Sequence, residues 1–318
     1  MSQLVTEEFY VPARDSGIRI YVRNKRPAEM TAFSPARTIL FVHGATYPSE
    51  TAFDLRLDGV SWMEFIASRG FDVYLLDIRG YGRSTRPPQM SEPPENHPPL
   101  ARGGDAVADV GVVADWILAR RELSRLNLLG WSWGTSLMAT YTTQNADRVN
   151  RLALYAPAWI RTTPSLVQVS GKVGAYRSVR RDQMLERWLT GVPEDRKASL
   201  IPQGWFDAWA DAVFASDPDG AKQDPPVVRA PNGVVQDGRD FWSANKAWYD
   251  PTKITVPTLL VVAEWDRDTP LYMAQTLFPL LTNAPYKRMA VIGEGTHTVM
   301  LEKNRMELFN IVQQFLEE

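Results

Sequence analysis

The stretch "NLLGWSWGTSLMAT", residues 127–140, decides how the rest of the chain is read. It sets Ser132 between two tryptophans, with Gly130 and Gly134 one step further out, in the pattern G-x-S-x-G. The apolar "LNLL" before it reads as a buried strand and "SLMATY" after it as a helix. A serine at such a hinge sits in a strained backbone conformation that lifts its hydroxyl clear of a sheet. The chain doubles back closely there, so a Cβ at either flanking glycine would strike the facing backbone. The following helix also presents unpaired N–H groups and a partial positive charge to a developing oxyanion. The pattern alone recurs by chance; its place between strand and helix gives it meaning.

A serine hydroxyl is inert at neutral pH without a base beside it. The chain offers three histidines, His43, His97 and His297. His297, in "VIGEGTHTVML", follows the last predicted strand and so falls at the same end of the sheet as Ser132. His43, beside Gly44, is assigned to holding loop backbone, and His97 to the surface of the proline-rich "RPPQMSEPPENHPPL". The base in turn needs a carboxylate to fix its tautomer. "LLVVAEWDRDTP" supplies Glu264, Asp266 and Asp268 at a strand's end. Asp266 is preferred, since Glu264 can still fall within the strand and Asp268 can cap the next helix. An oxyanion needs two donors: the N–H of Trp133 and, from the loop after "LFVHG", that of Ala45, with Thr46 the alternative.

Bulk properties narrow the field. A formal charge of −2 gives no reason to expect nucleic acid or an anionic membrane as partner. With no cysteine, disulfides, thiolate catalysis and cysteine zinc sites are excluded. The start, "MSQLVTEEFYVPARDSG", lacks the basic and apolar parts of a signal peptide. No run approaches the length of a membrane span. A soluble, cytoplasmic protein is expected.

Short apolar runs alternate with amphipathic ones: "TILFVHG", "FDVYLLDI", "RLNLLG" and "NRLALYAPA", then "VPTLLVVAEWD" and "KRMAVIGEG". This rhythm predicts an α/β protein, a mostly parallel, doubly wound sheet with helices on both faces. "EEFYVPAR" and "GIRIYVRN" are expected to pair antiparallel around "DSG". The rhythm breaks near residue 157. Residues 158–250 show no clean strand but hold six of the eleven tryptophans, and are read as a mainly helical cap. Residues 1–157 and 251–318 then form the core.

In sum, these residues resemble the α/β-hydrolase superfamily. Gly130 to Gly134 match its nucleophile elbow, "FVHGA" its oxyanion loop and "DIRGYGRS" (77–84) the loop after the next strand. Asp266 in D-x-x-T-P and His297 near the C-terminus complete the family order Ser, Asp, His. The resemblance implies eight strands and a cap inserted after the sixth. It also implies ester hydrolysis through an acyl-enzyme by Ser132, His297 and Asp266, without metal or organic cofactor. The chain departs from many relatives at Trp133-Gly134-Thr135 and at Thr296. A serine nucleophile separates it from the aspartate-using dehalogenases and epoxide hydrolases. "GYGRST" lacks the third glycine and the lysine of a phosphate loop.

The expected substrates are a small-molecule ester and water, with Thr46, Trp131, Trp159 and Trp188 as candidate pocket residues. The cap tryptophans either wall an apolar or aromatic pocket or form the cap's own core. The basic segment 172–187 is either a solvated helix face or holds an arginine that reads the carboxylate of a monoester. Two alternatives stay open: an iminopeptidase or amidase using Glu194, Asp195, Asp207 or Asp211, and a ligand receptor without turnover.

Overall fold

In the computed structural model, which describes residues 3–318, eight strands lie in one sheet. The core segment expected from residue 1 therefore begins two residues outside the described part. The strands are β1 (Leu4–Pro12), β2 (Arg19–Pro27), β3 (Thr38–Val42), β4 (Asp72–Leu76), β5 (Leu126–Trp131) and β6 (Val149–Tyr155). A short pair, β7 (Tyr176–Val179) and β8 (Val228–Pro231), stands apart before β9 (Thr258–Ala263) and β10 (Lys287–Ile292) close the large sheet. Its order is β1-β2-β4-β3-β5-β6-β9-β10. Every neighbour from β4 to β10 is parallel, whereas β1–β2 and β2–β4 are antiparallel. The expected hairpin and parallel core are both present.

Strands β3, β4, β5 and β9 are buried at every position, because helices cover both faces. Alternate side chains feed opposite cores. Leu40, Val42, Leu128 and Val262 meet helices Gly103–Arg121 and Trp133–Gln144 on one side. Ile39, Phe41, Leu129 and Val261 meet helices Trp62–Ala67 and Arg305–Glu317 on the other. There Trp62 stacks on Phe309 with ring centroids 5.1 Å apart. Among the described residues no helix is long and apolar enough to cross a membrane.

Between β6 and β9 the chain leaves the sheet and forms helices Arg181–Trp188, Glu194–Leu200, Trp205–Ala215 and Gly233–Asp240. Here the sequence reading missed the antiparallel β7–β8 pair. "YRSV" and "VRAP" are four residues each, too short for a period to stand out. Their pairing is non-local, so no local pattern announces it.

The turn after β5 depends on its glycines. A Cβ on Gly130 would collide with the Gly134 carbonyl, and one on Gly134 would lie 2.6 Å from both the Val42 and His43 carbonyl oxygens. Gly134→Ala is therefore expected to destabilise the fold by about 2–3 kcal/mol in urea unfolding. Gly104 sits in the first turn of a helix with open space around it. Gly104→Ala is expected to be neutral or to stabilise by up to about 1 kcal/mol in the same measurement.

Candidate active site

Ser132 caps helix Trp133–Gln144 at φ 58°, ψ −121°, a strained conformation for a residue with a side chain. Its side chain lines a cavity of about 350 Å³. The loop after β3 reaches the serine directly, since a Cβ on Gly44 would lie 2.9 Å from Ser132 Cβ. Only a glycine permits that approach.

His43 holds this loop. Its Nδ1 lies 2.7 Å from the Gly44 carbonyl, and its Nε2 is 3.0 Å from the Ile78 nitrogen. A backbone N–H can only donate, so the ring proton sits on Nδ1 and Nε2 accepts. Burial pushes the His43 pKa down to about 4, so the clamp is neutral. With the Gly44 carbonyl fixed, the planar trans peptide aims the Ala45 N–H in the opposite direction. The Ala45 carbonyl accepts from the Tyr81 hydroxyl at 3.1 Å and from Arg177. Neither the Ala45 nor the Trp133 N–H meets an acceptor among the described residues outside helix-internal pairing.

His297 sits in the loop after β10, and its Nδ1 is 2.8 Å from Asp266 Oδ2. Thr269 donates to both Asp266 oxygens, from its N–H and its hydroxyl, each at 2.8 Å. That explains the threonine of D-x-x-T-P. The His297 carbonyl accepts from the Trp131 indole at 3.0 Å and the Tyr155 hydroxyl at 2.7 Å. The residue just before the serine thus anchors the histidine. With Nδ1 facing a carboxylate, Nε2 is the free basic nitrogen; it is buried and without a hydrogen bond, including to Ser132. Burial opposes charging of this ring, but the carboxylates of Asp266 and Asp268 outweigh it and raise the His297 pKa above 6.5.

Asp268 does not cap the next helix, which starts after Pro270 without a side-chain cap. Instead Arg187 meets its carboxylate with Nη2 at 2.7 Å and Nε at 3.1 Å from both oxygens. Burial would raise the Asp268 pKa, yet Arg187 holds it below the ordinary carboxylate range. Glu264 follows β9, is exposed, and accepts from the Glu294 N–H.

The four pocket candidates separate. Trp159 lines the cavity with Ser132. Thr46, Trp131 and Trp188 border a void of about 20 Å³ beside it, together with His297. Thr46 accepts from Arg177 at 2.7 Å and from Arg187 at 3.1 Å. The Trp188 indole donates to Glu302 at 2.8 Å and packs edge to face on Trp209. Of the basic segment, Arg180 and Arg181 pair with exposed acids, while Arg177 and Arg187 turn inward. His97 pairs with Glu92 at the surface.

Two residues escaped the sequence reading. Glu302, buried beside the histidine loop, accepts from the Thr296 N–H at 3.0 Å and from its hydroxyl. The Thr296 hydroxyl thus donates to Glu302 and is part of what holds the histidine loop. Burial pushes the Glu302 pKa up to about 7. Arg161 lines the main cavity, with its Nη2 2.6 Å from the Asp268 carbonyl.

A family model described as alpha/beta hydrolase fold matches residues 37–303. No curated protein is similar enough in sequence to be matched to the chain. One similar solved structure is the 2-hydroxy-6-oxo-6-phenylhexa-2,4-dienoate hydrolase from Rhodococcus sp. strain RHA1. It is 14% identical over 99% of this chain and 100% of that one, with a TM-score of 0.65. A serine hydrolase involved in carbazole degradation is 17% identical over 98% and 99%, with a TM-score of 0.63. A thermophilic esterase from Thermogutta terrifontis is 14% identical over 98% of each chain, also at 0.63. At these identities the likeness is one of fold.

The two buried histidines are expected to titrate apart. By ¹⁵N NMR, His43 keeps its Nδ1–H neutral form down to about pH 5, whereas His297 protonates above 6.5. The unfolded chain takes up the His43 proton first, so this residue's contribution to stability falls as pH drops from about 6.5 toward 4.

Proposed function

Since the chain belongs to the α/β-hydrolase fold family, we propose that it is a serine hydrolase that cleaves carboxylic esters through an acyl-enzyme on Ser132. The observation that carries this reading is the buried His297–Asp266 pair, whose free Nε2 belongs to a ring anchored by the residue adjoining a strained serine. Ser132 Oγ attacks the ester carbonyl while His297 Nε2 takes its proton, and Asp266 and Asp268 stabilise the imidazolium. The hydrogen bond between Ser132 Oγ and His297 Nε2 forms as substrate binds. The N–H groups of Trp133 and Ala45 receive the oxyanion. His297 then protonates the departing alkoxide, and a water activated by the same nitrogen releases the acid.

Residues 158–250 act as the cap over the cavity. Trp159, Val234, Val235 and Trp242 from this segment face Met273 of the core around the cavity, walls suited to an apolar or aromatic group. The iminopeptidase alternative is weakened: Glu194, Asp195, Asp207 and Asp211 are all exposed and outside the cavity wall. The wall's one carboxylate, Asp268, is already paired with Arg187. An incoming amine would find no free acid.

Ser132→Ala is expected to lower kcat/KM on 4-nitrophenyl butyrate by roughly 10⁴-fold or more; near-wild-type turnover would overturn the assignment. The base must be neutral, so kcat/KM is lost as pH falls through the raised His297 pKa, with the acid limb above 6.5. Asp268→Asn removes one of the two carboxylates that raise it and should move this limb to lower pH. A limb that stays in place would refute the electrostatic account.

A further inference from the structure

The charges around the cavity do not balance. Its walls carry Arg161, Arg187 and Arg239 against one carboxylate, Asp268. Arg187 is neutralised by Asp268 through the bidentate pair. Arg177 stands behind the wall, its guanidinium committed to the Ala45 and Pro231 carbonyls, Thr46 and Asn232. Arg239 is exposed and donates to the Gly171 and Val169 carbonyls. Arg161 differs from all of these. Like Arg177 and Arg239 it makes no ion pair among the described residues, but its one hydrogen bond is from Nη2 to a backbone carbonyl and its Nε is buried without a partner, whereas those two are engaged by two or more acceptors each.

An arginine cannot shed its charge to escape burial. A half-buried guanidinium without a counter-ion is therefore unfavourable. The Arg161 backbone N–H donates to the Trp242 carbonyl at 3.0 Å, and its head is held at the cavity by the bond from Nη2 to the Asp268 carbonyl. Gln168 and Ser243, both exposed, line the same cavity, and neither side chain has a hydrogen-bond partner among the described residues. One part of the cavity is thus cationic and polar, and the Trp159, Val234 and Trp242 part apolar.

We propose that the substrate is an anionic ester, and that Arg161 binds a carboxylate it carries beyond the scissile bond. This rests on the serine-hydrolase reading and narrows its substrate class. The carboxylate supplies the counter-ion that Arg161 lacks, and binding pairs a charge that is otherwise partly buried and unpaired. It also moves the anion-reading role from the arginines of the basic segment to one that precedes it.

The test compares monophenyl adipate with phenyl hexanoate, which match in chain length and differ in the terminal carboxylate. The ratio of their kcat/KM values should favour the adipate in the wild type and fall roughly 10- to 100-fold in Arg161→Met. Arg161→Lys, which keeps the charge without the planar fork, should fall between. Arg180→Met, at an exposed arginine paired with Asp182, should leave the ratio unchanged. In wild-type protein, adipate should inhibit phenyl hexanoate hydrolysis competitively while hexanamide does not, a readout that needs no variant. A ratio that is the same in wild type and Arg161→Met, or no inhibition by adipate, would overturn the proposal. Calorimetric binding of adipate to Ser132→Ala keeps the two readings apart. Arg161-dependent binding, together with a wild-type protein that hydrolyses neither ester, would retain the anion site and reject the hydrolase. Hydrolysis of both esters without adipate binding would do the reverse.

Discussion

Two backbone turns approach each other around Ser132 more closely than any side chain would allow, and the head of the sheet is organised by that approach. The turn after β5 lies against the Val42 and His43 carbonyls, and the loop after β3 lies against Ser132 itself. Glycines at 44, 130 and 134 are the local condition. The approach must also be held, and buried polar groups hold it. His43 fixes the Gly44 carbonyl from inside, while Tyr81 and Arg177 grip the Ala45 carbonyl from outside. Serine strain, loop position and donor direction are therefore set by one arrangement.

A second set of bonds fixes the histidine through its backbone. Trp131 and Tyr155 reach the His297 carbonyl from neighbouring strands of the sheet, and Glu302 holds Thr296 next to it. The ring then needs only Asp266 to settle its tautomer. The surrounding charges act against each other: burial and Arg187 oppose the imidazolium, and two carboxylates outweigh them. The outcome is an imidazole whose pKa is held above the ordinary histidine value although the ring is almost fully enclosed.

Much of this was legible in the sequence, for reasons that differ by element. Strands β3, β4, β5 and β9 are uninterrupted apolar runs because both of their faces are covered, and such runs show in any short window. The elbow is legible because glycine types report backbone geometry. Asp266 and His297 could be placed because strand ends point to one side of a parallel sheet. What stayed hidden is pairing across long separations. The β7–β8 ladder, Arg187 with Asp268, Trp188 with Glu302 and Arg161 on the Asp268 carbonyl each join parts of the chain with no shared local pattern. Trp131 shows the same limit. Its position beside the serine was evident, but its hydrogen bond to a carbonyl 166 residues away was not.

The inserted segment touches the core at chemically decisive points. Arg177 grips the Ala45 carbonyl, Arg187 shares Thr46 and Asp268, and Trp188 reaches Glu302 under the histidine loop. Such a segment is not an interchangeable module. Removing Arg187 and Arg177 from it would strand Asp268 without its cation and release one grip on the loop after β3. A change on either side of these pairs, in the insertion or in the core, therefore acts on the other side as well.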